Sequence, residues 1–400
     1  MKVDIADRMT VLDRMRTLKM AGSTHAYVRG NTVEFYEWLA VSPAAARLPA
    51  SAPVWICGDC HLGNLGPLAD ADGKVAIQIR DLDQTVIGNP AHDLIRLGLS
   101  LATAVRGADL PGVTTAHMIE EMVEGYMLAL ADPGPAHAAP EPDVVRAVRR
   151  QALGRRWKHL AQERLADVKP TLPLGKKFWE LSGGERTALA TLLEDDAVRR
   201  MILSLTGRDE ADRIDLADAA YWAKGCSSLG KLRFAALINI TGSGKGGGHE
   251  MALIDIKEAV EAAAPAAAGA DMPADHAERV VAGARALSPN LGGRMLAARL
   301  LGQPVVLREL MPQDLKLEVD QFSRAEAIRS ARYLAYVVGR AHGRQMDPAT
   351  RTEWRRTLLD HRGAGIEAPS WLWDAVVSLI GRHEAGYLEH CRRYALSEAA

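Results

Sequence analysis

Two apolar runs, RFAALINI (233–240) and MALIDIKEA (251–259), flank the glycine-rich stretch TGSGKGGGHE. Runs of this kind with a glycine-rich connector make a β-hairpin, and this one interrupts a chain otherwise patterned for helices. Helical periodicity is read at 4–20 and 31–40, with Tyr27-Val28-Arg29-Gly30 between them, and from Asp93 to Ala131 with a break at Gly112. It continues through most of the charge-rich 143–220 and returns at 276–287, 324–345 and 371–395. PVVLREL (304–310) reads as a further strand, as do VWICGDC (54–60) and VAIQIRDLD (75–83). PGPAHAAPEP (133–142) reads as a surface loop, and AVEAAAPAAAGADMP (259–273) as a mobile, low-complexity stretch. The expected class is α+β. Residues 1–218 form a helical part, 219–312 a small antiparallel-sheet part, and 313–400 helices that return to the first.

Composition narrows the function classes. The chain of 400 residues is 48% hydrophobic and 25% charged, with a formal net charge of -1. That gives no global basic field for nucleic acid. No apolar run approaches the roughly 18 residues of a membrane span. The N-terminus MKVDIADRMTVLDRMRTLKM lacks the apolar core of a signal peptide. The expectation is a cytoplasmic protein with neither a nucleic-acid nor a membrane partner.

The segment WICGDCHLGNLG (55–66) admits three readings. Cys57-Gly-Asp-Cys60-His61 has the spacing of a c-type haem attachment site, which forms outside the cytoplasm. Cys57 and Cys60 alone are a C-x-x-C pair, but Cys226 and Cys391 are too isolated to complete a zinc site. Gly63, Gly66 and Pro67 make the segment a loop rather than the helix start that activates a redox thiol. The third reading is a phosphotransferase catalytic loop. Two other motifs are decoys. GSGK (242–245) lacks the flanking glycine and hydroxyl residue of a Walker A loop, and Leu181-Ser-Gly-Gly-Glu185 stands before a helix at 185–193.

Phosphoryl transfer needs a carboxylate to orient the acceptor hydroxyl, an amide oxygen nearby to hold a metal, and a second carboxylate on the metal that bridges the phosphates. Asp59 and Asn64 supply the first two from one loop. Asp81, at the end of VAIQIR, supplies the third, with Asp83 as a rival ligand. G-D-x-H-x-x-N, an apolar strand ending in Asp, and then Gly88-x-Pro90-x-x-Asp93-Leu resemble the aminoglycoside-phosphotransferase branch of the kinase-like fold. Cys57 departs from that branch, which usually has His there. Asp93 reads as a structural residue that holds the loop's backbone at a helix start, and His61 as one that shapes the loop.

A kinase-like fold normally places its nucleotide-gripping lobe before the catalytic loop, and only 57 largely helical residues precede Gly58. The missing parts follow instead. Gly225-Cys-Ser-Ser228-Leu-Gly230 is a small-residue loop in which backbone N–H groups can approach phosphates. Lys257 lies on the following strand, within reach of α/β-phosphates, and Glu278 is its candidate ion-pair partner. YLAYVVGRAHGR resembles the helix that comes before the catalytic loop. The resemblance therefore implies a protein-kinase-like two-lobed fold, circularly permuted, with a large helical lobe and a small antiparallel-sheet lobe. The whole chain also resembles the bacterial DUF2252 family through Tyr27–Gly30, Gly58–Gly66, Arg80–Asp83, Gly225–Gly230 and Ile256–Ala259. Arg80, Gln84 and Ser227 depart from that pattern.

The resemblance implies ATP and magnesium as cofactors and transfer of phosphate to a hydroxyl of an unidentified small-molecule or protein acceptor. Adenylyl transfer on the same scaffold and a pseudokinase or regulatory module remain alternatives. Arg29 is open between a phosphate or substrate contact and a surface turn.

Overall fold

The computed structural model describes residues 3–107, 110–131, 139–164, 171–205, 207–224, 230–242, 249–317, 323–360, 362–363 and 365–399. Three helices, α1 (Arg8–Ala21), α2 (Thr24–Gly30) and α3 (Thr32–Val41), precede four short strands. These are β1 (Val54–Ile56), β2 (Leu65–Ala69), β3 (Val75–Ile79) and β4 (Val86–Gly88), and they form two antiparallel ribbons, β1 with β4 and β2 with β3. Next come α4 (Ala91–Gly107), α5 (Gly112–Ala131), α6 (Asp143–Gly154) and α7 (Trp157–Arg164). β5 (Phe178–Trp179), α8 (Gly183–Glu194), α9 (Asp196–Leu203), β6 (Arg213–Trp222), β7 (Arg233–Thr241) and β8 (His249–Glu258) lead to α10 (His276–Leu287) and α11 (Pro289–Gly292). β9 (Met295–Leu300) and β10 (Gln303–Glu309) precede α12 (Arg324–Gly343), α13 (Pro348–Asp360) and α14 (Ser370–Ala399).

The fold is α+β with antiparallel sheets. The largest sheet has the order β5-β6-β7-β8-β10-β9, every neighbouring pair antiparallel. Its start corrects the expected boundary at 218/219, which falls inside β6, and α8 and α9 also pack on the sheet. The segment 143–220 was expected to be mostly helical. The first half of β6 is partly exposed and rich in charge, and β5 is two residues long, so neither displays a clear period of two. Side chains alternate between the faces of a strand. One face carries Phe234, Ala236, Ile254, Ile256 and Leu307 into a core beneath α8 and α9, to which α1 adds Leu12. The opposite face carries Arg233, Asp255, Lys257 and Arg308, and this face meets the functional site.

Ser182-Gly-Gly-Glu185 is a capping box. The Ser182 hydroxyl accepts from the Glu185 N–H, and Glu185 accepts from the Ser182 N–H while pairing with the buried Arg8 at 2.6 Å. That accounts for the motif without a nucleotide. The helical body is built on α5 and α12, which cross closely. A Cβ on Gly125 would lie 2.0 Å from the Arg332 carbonyl oxygen, so only glycine permits that approach. Tyr27–Gly30, expected between helices, is part of α2. Among the described residues no helix is long and apolar enough to cross a membrane.

Candidate functional site

The loop after β1 is shaped by a buried acid. Asp93, in the first turn of α4, accepts the Cys57 N–H at 2.7 Å and the Gly58 N–H at 2.9 Å. His342 of α12 lies 3.1 Å from the same carboxylate and 2.9 Å from the Tyr126 hydroxyl, which also accepts from the Trp354 indole. The helix containing AHGR therefore packs beside the loop, although nearly the whole chain separates them. Gly58 sits at φ +74°, where a Cβ would meet the Gln84 carbonyl oxygen at 2.1 Å. The Leu62 N–H donates to the Ser100 hydroxyl at 3.1 Å.

Asp59 is buried, and one carboxylate oxygen accepts from the Arg96 Nε at 2.9 Å. Arg96 is wholly buried and also donates to the Val28 carbonyl. Burial pushes the Asp59 carboxyl up, against the opposing charge of Arg96. His61 lies 3.9 Å from the other carboxylate oxygen. Burial, then the charges of Arg29 and Arg96, push its pKa well down, so it is neutral. The Arg29 guanidinium lies over Gly63, within 3.1 Å of where a Cβ would be. Of its two readings, the surface turn is excluded: Arg29 covers this loop and lines the cleft beside it.

Asn64 joins the two halves of the predicted constellation. Its amide nitrogen donates to the Asp81 carbonyl at 2.7 Å and to the Asp59 carbonyl at 3.3 Å. Lys257 arrives from β8, 3.5 Å from the Asp81 carboxylate and ion-paired with Asp83. Desolvation within the cleft opposes ionisation of Asp81. Half of its side-chain surface stays open, however, and Lys257, Arg308 and Arg233 prevail, holding the carboxyl well below the usual range. Burial and the neighbouring Asp81 charge push Asp83 up. Two carboxylates this close share one cation, as electrostatics requires.

Glu278 corrects an expectation: it is exposed on α10 and does not meet Lys257. α10 buries Ala277, Val280, Val281 and Ala284, and this register turns Arg279 inward instead. Arg279 donates to the carbonyls of Thr85, Asp83 and Val260, tying the loop after β3 to the segment after β8. That segment, expected to be mobile, is an ordered strap. The Ala263 N–H donates to the Gln84 side chain at 2.6 Å and the Ala267 N–H to the Ile87 carbonyl at 2.8 Å. Of the predicted phosphate loop, Gly225 and Ser228 lie outside the described residues. Gly230 enters β7 at φ +92° beside Met9 and Asp13 of α1.

Arg96, Arg279 and the sheet-face charges escaped sequence reasoning. Asp255 is fully buried and takes a two-pronged contact from Arg233 at 2.8 and 2.6 Å, with Arg308 at 3.3 Å. Burial opposes its ionisation, but the two guanidinium groups hold its carboxyl well below the usual range. The signal was present in Asp255-Ile-Lys257, where a spacing of two places both side chains on one strand face. For Arg96 it was the three-residue step from Asp93, a helical turn that aims both at one loop.

Cys57 and Cys60 are buried free thiols, and burial pushes that of Cys57 far up. Among the described residues no group of three or more His, Cys, Asp or Glu side chains is arranged to hold a metal. The Asp81–Asp83–Lys257 cluster lines a chamber of about 30 Å³ that shares Arg80 and Arg308 with a cleft of about 1040 Å³.

No curated protein and no solved structure matches the chain. A family model described as an uncharacterized protein conserved in bacteria, DUF2252, matches residues 8–393. With nearly its entire length covered, the chain belongs to the DUF2252 family.

Proposed function

We propose that the chain is a cytoplasmic ATP- and magnesium-dependent phosphotransferase with a kinase-like, two-lobed fold in circularly permuted order. The observation that carries this reading is the meeting of Lys257 with Asp81 and Asp83, from elements 174 and 176 residues apart, at the edge of a cleft. Magnesium is commonly held by one or two carboxylates together with substrate phosphates, so a larger ligand cluster is not needed. The groups fit it: Asp81 is ionised and half open, and Asn64 spends its NH2 on two carbonyls, which leaves Oδ1 to face a cation. Asp81, Asn64 and Asp83 would hold the ion, which when bound neutralises phosphate charge. Lys257 would share its charge between the carboxylates and the nucleotide, and Asp59 would orient the acceptor hydroxyl. At about 1040 Å³ the cleft reaches the top of the range of roughly 300–1,000 Å³ for small-molecule sites.

A second reading, a nucleotide-binding module without turnover, is favoured by one observation: Asp59 is engaged by the buried Arg96 rather than free to face an acceptor. Calorimetry of ATP with and without magnesium, paired with transfer assays using γ- and α-labelled ATP on a metabolite pool, separates the two. The expected result is magnesium-dependent binding that Lys257→Ala abolishes, with label passing from the γ position alone. Binding without transfer selects the second reading, transfer from the α position selects adenylyl transfer, and no binding rejects all three.

A further inference from the structure

The charge of the large cleft identifies what class of compound enters it. Ten Lys and Arg side chains line it among the described residues, against two acids, Glu163 and Asp314. The chain as a whole is balanced, with 49 basic and 50 acidic residues, so this excess is local. Concave walls of low dielectric focus such a field and concentrate ions of the opposite sign.

The cations also reach beyond the place assigned to nucleotide phosphates. Arg80 and Arg308 stand at the Asp81 end, common to both cavities. Arg29 covers the Asp59 loop. Lys176 and Lys177 lie on the turn before β5, and Lys224 lies 4.0 Å over the Trp222 ring with Arg164 on the same ring at 5.8 Å. The Arg80 and Arg164 Nε atoms are buried and have no hydrogen-bond partner among the described residues. Unpartnered guanidinium nitrogens lining a cleft are suited to phosphate or carboxylate oxygens. Arg155 is paired with Glu163 and Arg308 with the buried Asp255, and burial pushes Lys224 well down, which leaves Arg29, Arg80, Arg164, Lys176 and Lys177 to answer an anion beyond a magnesium-bound triphosphate.

We infer that the cleft binds a second ligand besides the nucleotide, a small polyanion bearing phosphate groups. On the phosphotransferase reading, on which this identification of its role rests, that polyanion is the acceptor. The same field repels polycationic amino sugars, so the chain does not share the acceptor class of the aminoglycoside-phosphotransferase branch it resembles.

The test uses pyrophosphate as the anionic probe and spermine as the cationic one, titrated by calorimetry into the full chain at about 0.15 M salt, where the Debye length is about 8 Å. The variant is Lys176→Glu with Lys177→Glu; both side chains are exposed and neither has been given a role toward nucleotide. Pyrophosphate is expected to bind the wild type in the presence of a saturating non-hydrolysable ATP analogue. The variant is expected to lose about tenfold or more, as reversal of two charges at an anion site implies, and spermine is expected not to bind. The analogue's own affinity is expected to stay within about threefold, since neither lysine lines the Asp81 chamber and salt at that strength screens more distant charges. Exclusion of pyrophosphate by bound analogue, equal binding by the variant, or tight spermine binding overturns the inference. If the analogue fails to bind but pyrophosphate binds and the variant loses it, the polyanion site stands and the phosphotransferase reading falls.

Discussion

Asp59 accepts a hydrogen bond from the Nε of Arg96 at 2.9 Å, and both residues are buried. A buried guanidinium that loses its carboxylate is left as an unpaired charge, which typically costs several kcal/mol, whereas apolar replacement of both partners is often tolerated. Asp59→Asn should therefore destabilise the protein by about 3 kcal/mol. Adding Arg96→Met should recover most of that loss. Chemical denaturation of the two variants measures both changes. A fully stable Asp59→Asn protein would show that the pair contributes nothing to the fold.

The contrast between neighbours on α10 gives a second prediction. Arg279 donates to three backbone carbonyls around Asp83, while Glu278 is exposed. Hydrogen bonds from a charged donor contribute about 1.5–3 kcal/mol each and are not additive. Arg279→Ala should cost at least about 2 kcal/mol on that scale and speed hydrogen exchange at Ala263 and Ala267 of the strap. Glu278→Ala should be silent in both measurements. Equal effects from the two substitutions would reject the assigned register of α10.

The same pair shows what the sequence made legible. Residue types and spacings revealed the loop at 58–64, the strand that leads into Asp81 (though it ends at Ile79), the hairpin 233–258 and its Lys257, because each depends on local pattern. Glu278 was expected to reach Lys257, whereas the folded helix turns its neighbour Arg279 inward. The step between them is about 100° of rotation, which only the apolar face of the folded helix decides. β6 was missed because its outer half is partly exposed and carries charge, so the burial that would imprint alternation is absent. The strap's alanines look like low complexity but are held by their backbone N–H groups, which no side-chain pattern reports.

Acid stability should depend on buried imidazoles, among them His61 of the Asp59 loop, His92 and His383. Burial pushes His92 down to about 4, with Asp93 opposing, and burial followed by Arg96 pushes His383 down to about 3. Both folded values lie below the unfolded value of about 6.5, so between them the unfolded chain binds more protons. Stability is then fully present above about pH 6.5 and is lost as the pH falls toward 4 and 3, by an amount on the order of 3 kcal/mol for each residue. The double variant His92→Leu, His383→Leu should show a flatter fall in melting temperature between pH 6.5 and 4. An unchanged slope would assign the acid sensitivity to other groups.

The last prediction separates the two carboxylates of the proposed site. Asp81 is half open, ionised and beside Lys257, whereas Asp59 is enclosed and engaged by Arg96. Removing Asp81 should therefore act on nucleotide binding itself, so Asp81→Ala should weaken magnesium-dependent ATP affinity as well as turnover. Asp59→Asn keeps the shape of its side chain and lies away from Lys257. ATP affinity should then stay within a few fold while turnover falls by roughly the 10²–10⁴ typical of losing a positioned base. Asn64 couples the two, because its amide donates to the carbonyls of both residues. Asn64→Ala removes the amide donor from both carbonyls, leaving that of Asp81 only the weak Cys57 thiol, at a cost of about 1–3 kcal/mol, and should loosen Asp81 enough to lower ATP affinity partway toward the Asp81→Ala value. Calorimetry and single-turnover rates on the three variants decide it. If Asp59→Asn abolishes nucleotide binding while Asp81→Ala leaves it intact, the roles of the two carboxylates are reversed, and Asp83, which holds Lys257 most closely, becomes the metal ligand to test.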